Sequence, residues 1–274
     1  MTLCQELVQI TCDQGDEVIY AWRSFEAYPV VTQVGHAVSV KVPLTEDFGH
    51  DLDAMLAAIT DRTRLIFVCN PNNPTGNALS KAELESFLDA VPAHVVVALD
   101  EAYFEYSRSD ADGIELFRSR PNVVVLRTFS KAYGLAGIRV GYAVADPEII
   151  VALGKVHTLH RERCRAGRRN RFSGCSRRTA CPHRGRHRRA DASSNRADRS
   201  RLHRPRVVGE LRLPPSRRAL PGFAEASTEA GILIRQYGTE GVRMTIGDPH
   251  ENDAFLAFAN TDVAKRAAGI GVTA

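Results

Sequence analysis

The stretch "RTFSKAYGLAGIRVGY" (residues 127–142) decides how the rest of the chain is read. It follows the β-branched run "NVVVL" and sets Lys131 directly after a strand and two hydroxyl residues, Thr128 and Ser130. Gly134 and Gly137 let backbone approach closely there. A lysine at such a strand end can be desolvated, which favours the neutral amine and makes it a nucleophile for Schiff-base chemistry. Thr128, Ser130 and Arg139 are residue types that bind a phosphate. Taken alone, the stretch also reads as a surface lysine beside small-residue turns, so the surrounding pattern has to decide.

That pattern alternates strands with helices. Candidate strands are "DEVIYAW" (16–22), "HAVSVKV" (36–42), "RLIFVCN" (64–70), "HVVVALDEAY" (94–103), "NVVVLRTFS" (122–130) and "VGYAVAD" (140–146). Several are apolar on both faces, as in a sheet covered by helices on both sides. Between them, Leu52, Met55, Leu56 and Ile59 form one helical stripe. Ser80 and Glu83 form a capping box, and Asp146-Pro147 supplies an N-cap with proline at the first helical position. The expected fold is α/β with a mainly parallel sheet. Farther on, "FAEASTEAG" predicts a helix ending at Gly231, "ILIRQYG" and "VRMTIG" two short strands, and "ENDAFLAFA" a closing helix, the tail of a smaller α+β domain.

Three further positions bear on chemistry, because ligands of open α/β sheets bind at strand ends. In "NPNNPTG" (70–76), two Asn-Pro steps make a rigid turn that sets the Asn73 side chain outward. In "LDEAYFEY" (99–106), Asp100 follows five apolar residues; a carboxylate buried there is either a structural cap or the counter-ion of a cationic ring. Tyr103 lies a turn beyond it. Arg243 in "GVRMTIG" reads alone as an exposed strand arginine. Together these match the needs of a pyridoxal 5'-phosphate site: a lysine for the aldehyde, an acid for the pyridine nitrogen, donors for the ring oxygen and a phosphate clamp.

On "CNPNNPTG", "DEAYFEY" and "RTFSKAYGLAGIRVGY" the chain resembles the fold-type I pyridoxal-phosphate aminotransferases, in particular the histidinol-phosphate and aromatic amino acid group of actinobacterial type. The likeness spans roughly residues 4–157 and 222–260. It implies a Schiff base on Lys131, Asp100 against the pyridine nitrogen, and Tyr103 and Asn73 on the ring hydroxyl. It further implies Thr128, Ser130 and Arg139 on the phosphate, Phe25 of "WRSFEAYP" stacked on the ring, and Arg243 on the substrate carboxylate. The implied reaction is transamination between an aromatic amino acid and 2-oxoglutarate; the family is homodimeric, with each site completed across the interface, and in this chain the dimer is expected to be weakened. Histidinol phosphate as substrate, a decarboxylase on the same scaffold, and an inactive truncated product are the other readings. The family's N-terminal arm and Gly/Ser phosphate turn fall before "LCQELVQ", and the resemblance implies that this chain lacks them.

The charge is unevenly spread. Residues 159–218 hold 20 Arg, no Lys and 4 acids, whereas the rest of the chain holds 16 Lys plus Arg against 28 acids, so an acidic protein carries a basic insert. Only 15 of those 60 residues are hydrophobic, and they form no helical stripe, although the family has its interdomain helix there. A nucleic-acid arm would want lysines and interleaved aromatics, and the insert has Phe172 alone. A disordered linker would seldom hold so much Arg, Cys and His. Out-of-frame translation fits best, since most Arg codons are CGN, and read one nucleotide later they encode Val, Ala, Asp, Glu or Gly. No C-x2–4-C pair occurs among the six cysteines, so no metal site is expected. No signal peptide or membrane span is visible, and a cytoplasmic enzyme without nucleic-acid or membrane partners is expected. The expected organisation is a cofactor-binding large domain (1–157), the anomalous segment (158–221) and the remnant of a small domain (222–274).

Overall fold

The computed structural model describes residues 1–157, 220–238 and 240–268. The expected basic segment, apart from its last two residues, lies outside them, as do its three cysteines. The chain divides into two compact units.

The first unit is built on a six-stranded sheet: β1 (Glu17–Trp22), β2 (Val38–Pro43), β3 (Thr63–Cys69), β4 (Val96–Asp100), β5 (Val123–Thr128) and β6 (Gly141–Val144). Their order is β2-β1-β3-β4-β5-β6; the first five run parallel and β6 is antiparallel to β5. All six expected strands are present. Because successive side chains on a strand point to opposite faces, the apolar runs feed two cores at once. Ile19, Ile66, Val68, Val97, Leu99, Val123 and Val125 pack on one face with α3 (Leu52–Ala57), α4 (Lys81–Ala90) and α5 (Gly113–Phe117). Val18, Tyr20, Leu65, Phe67, Ala98, Val124 and Leu126 pack on the other with α1 (Thr2–Thr11), α2 (Ala27–Val34) and α6 (Pro147–Val156).

Local chemistry sets the element ends. The Ser80–Glu83 capping box closes in both directions, and Asp146 accepts from the Glu148 N–H at 3.0 Å to start α6. β4 is shorter than its sequence suggested: the Asp100 carboxylate accepts the Ala102 N–H at 3.2 Å, turning the chain into a 3-10 turn over Phe104–Tyr106. The stripe on α3 also ends early, at Ala57, with Ile59 packed on the core from beyond the helix.

The second unit holds α7 (Leu220–Glu229), a hairpin of β7 (Arg235–Tyr237) and β8 (Gly241–Arg243), α8 (Pro249–Ala259) and α9 (Asp262–Ala267). Gly231, at φ 73°, reverses the chain after α7. Phe223, Val242, Met244, Ile246, Phe255 and Phe258 form its core.

Candidate active site

The parallel order brings the carboxyl ends of β1, β3, β4 and β5 to one edge, with a reversal of strand order between β1 and β3, where open sheets bind ligands. Phe25 follows β1, Asn73 follows β3, Asp100 ends β4, and Thr128, Ser130 and Lys131 lie at or after the end of β5. Antiparallel pairing sets Gly141, the start of β6, against Thr128, which returns Arg139 to the same edge. All eight of the residues expected in this unit line one cavity of about 1020 Å³.

Within it, Asp100 is only 7% exposed. Burial pushes its carboxyl above the ordinary range, and the strongest opposing influence is a hydrogen bond from the Tyr28 hydroxyl at 2.9 Å. Among the described residues it forms no ion pair. A carboxylate held this deeply by neutral donors suits a cationic group arriving from the cavity. Tyr103 is buried, and the Lys131 ammonium lies 4.9 Å from the centre of its ring. The Thr128 hydroxyl accepts the Ser130 N–H at 3.1 Å, fixing the turn that leads to Lys131. Arg139 is exposed, adopts the left-handed conformation (φ 56°) and donates to the Ala136 carbonyl at 3.0 Å. Met1, Thr2 and Leu3 also line the cavity, so the positive end of the α1 dipole opens onto it. Two hydroxyls, a guanidinium and a helix N-terminus form a donor set suited to a phosphate, and Asp100 suits a protonated ring nitrogen; the residues present therefore fit pyridoxal phosphate.

A model of the family described as aminotransferase class I and II matches residues 2–159, more than half of the chain. The chain belongs to the class I and II aminotransferases. An aromatic amino acid aminotransferase of Rhodococcus erythropolis is 76% identical over 288 residues, covering 100% of this chain and 77% of the relative. That of Rhodococcus jostii is 62% identical over 283 residues, with 100% and 77% covered. Among solved structures, the histidinol-phosphate aminotransferase of Sinorhizobium meliloti in complex with pyridoxal-5'-phosphate shares the fold, with a TM-score of 0.77 and 22% identity over 97% of this chain and 74% of that one.

Arg243 of this aminotransferase stands on β8 in the second unit, half-buried, where it donates to the Tyr237 hydroxyl at 3.3 Å. Among the described residues its buried Nε has no hydrogen-bond partner. Two features escaped the sequence. One is Tyr28, on α2. The other is a buried network beneath Asp100: Arg127 reaches Glu101 at 2.7 Å and Asp112 at 2.7 Å, its guanidinium 3.7 Å from the centre of the Phe104 ring, while Glu101 accepts the Gly113 N–H at 2.7 Å. Burial raises the Glu101 carboxyl to about 7 even though Arg127 pulls it down. The adjacency of Asp100 and Glu101 was legible; their separate partners were not.

Proposed function

We propose that the chain transfers the amino group of an aromatic amino acid to 2-oxoglutarate, using pyridoxal phosphate, as a cytoplasmic homodimer. The observation that carries this is the convergence of eight chemically matched side chains on one cavity with Asp100 buried at its wall. The names of the Rhodococcus relatives support the aromatic substrate class.

When bound, pyridoxal phosphate supplies an aldehyde that condenses with amines and a cationic ring that draws electrons from the substrate Cα. Lys131 would hold the aldehyde, and its amine, once freed, would carry the proton between the substrate Cα and the cofactor C4′. Asp100 would keep the ring nitrogen protonated, Asn73 and Tyr103 would donate to the ring hydroxyl, and Phe25 would stack on the ring. Thr128, Ser130 and Arg139 would hold the phosphate.

The test is the absorbance of the purified chain with added pyridoxal phosphate, beside Lys131→Ala. A band that needs Lys131, followed by glutamate formation from 2-oxoglutarate with phenylalanine or tyrosine, is the expected result. Activity with histidinol phosphate alone, or release of carbon dioxide instead of glutamate, would overturn the substrate reading; no Lys131-dependent band would overturn the site.

A further inference from the structure

Tyr28 is fully buried, yet its hydroxyl spans 72 residues of sequence to donate to Asp100 Oδ2 at 2.9 Å. The ring cannot swing away from that bond. It stacks on Phe67 with centroids 4.4 Å apart and planes 6° from parallel, and Phe67 is fixed in β3 by its pairing with Ala98 of β4. Phe25 meets the same ring edge-on at 5.6 Å and 88°. Asp100 Oδ1 is pinned separately by the Ala102 N–H. Both carboxylate oxygens thus accept protein donors, Tyr28 from outside the cavity lining and the Ala102 N–H from within it, and one tyrosine touches two of the side chains assigned to the cofactor ring.

We propose that Tyr28 is a positioning residue of this aminotransferase, holding the Asp100 carboxylate toward the cofactor ring nitrogen and backing Phe25 against the ring face. The inference rests on the cofactor reading above. Burial and the neighbouring carboxylate hold the Tyr28 hydroxyl far above the ordinary tyrosine range, so it stays protonated and donates throughout the working pH range. Donation favours the ionised carboxylate against the burial that opposes it. The other titratable groups around Asp100 are Cys4 on α1, pushed up to about 12 by burial, Cys69 at the end of β3, also raised by burial, the Met1 amine and Lys131. Neither thiol carries charge near neutral pH, so Tyr28 is the side-chain hydroxyl that orients Oδ2, while the Ala102 N–H holds Oδ1.

Tyr28→Phe removes one oxygen and keeps both ring contacts. Two readouts decide. First, the carboxyl carbon of Asp100, assigned with Asp100→Asn and titrated by NMR without cofactor, should move its midpoint up by about one unit in Tyr28→Phe. Second, the affinity for pyridoxal phosphate should fall ~10–100-fold, as expected for loss of a hydrogen bond to a charged group, while the cofactor-free melting temperature barely changes. An unmoved Asp100 midpoint, or unchanged affinity, overturns the role. A wild-type chain without a Lys131-dependent band overturns the cofactor reading instead, and the NMR titration still decides whether Tyr28 governs Asp100.

Discussion

Replacing Arg127 by methionine should destabilise the first unit by an amount that depends on pH. Glu101 is 1% exposed at its side chain and Arg127 10%, so solvent hardly screens their contact. Burial lifts the Glu101 carboxyl from the ordinary 4.5 to about 7, which means the folded chain binds that proton more tightly than the unfolded chain does. The wild-type protein therefore loses stability as pH rises from 4.5 and stops losing it near 7, where the folded carboxyl ionises beside Arg127. Without the guanidinium the carboxyl is raised further and stays protonated, so the variant goes on losing stability. Between pH 7 and roughly 8.5 the difference grows by 1.36 kcal/mol per unit, to about 2 kcal/mol. At roughly pH 5.5 both proteins carry a neutral Glu101. The residual loss there comes from the partly exposed Asp112 contact and the stacking on Phe104, on the order of 1–2 kcal/mol. The total at high pH, roughly 3–4 kcal/mol, agrees with the usual cost of halving a buried ion pair. The single tryptophan, Trp22, ends β1, so urea unfolding followed by its fluorescence reports on this unit. An equal loss of stability at both pH values would refute the reasoning, because it would mean that Glu101 does not exchange its proton in this range.

Gly113→Ala should cost ~1–3 kcal/mol in the same unfolding assay, since a Cβ there would stand 2.7 Å from Glu101 Oε1 and 3.2 Å from Leu99 Cδ1; an unchanged midpoint would show that the carboxylate gives way freely. We propose that the basic segment, residues 158–221, is read out of frame, because its 20 arginines and absent lysines match the shifted reading of a GC-rich coding sequence. Resequencing the coding DNA should reveal compensating shifts near its two ends, and an uninterrupted, verified frame would sink the proposal.

Much of the site was legible because a parallel sheet writes its active edge as short local strings. Each strand end contributes a few consecutive residues, so Asn73, Asp100 with Tyr103, and Thr128 through Arg139 appear as motifs even though the sheet has yet to bring them together. The antiparallel turn of β6 was not legible in its apolar pattern, yet it is what returns Arg139 beside Thr128. Tyr28 was missed for a related reason. Its importance lies in a hydrogen bond across 72 residues and in a stack on Phe67, a strand residue with no chemistry of its own. Nothing in "SFEAYP" separates a core tyrosine from one that orients a carboxylate, because the difference depends on which strand end lies above it. The strand order β1-β3-β4 supplies that answer: it carries Phe67 and Asp100 on adjacent strands past the start of α2, within reach of one buried ring. Groups that touch a ligand tend to be written locally at strand ends, while the groups that aim them are written in the topology. The Tyr28→Phe titration is therefore also a test of whether the sheet order, rather than any motif, sets the state of Asp100.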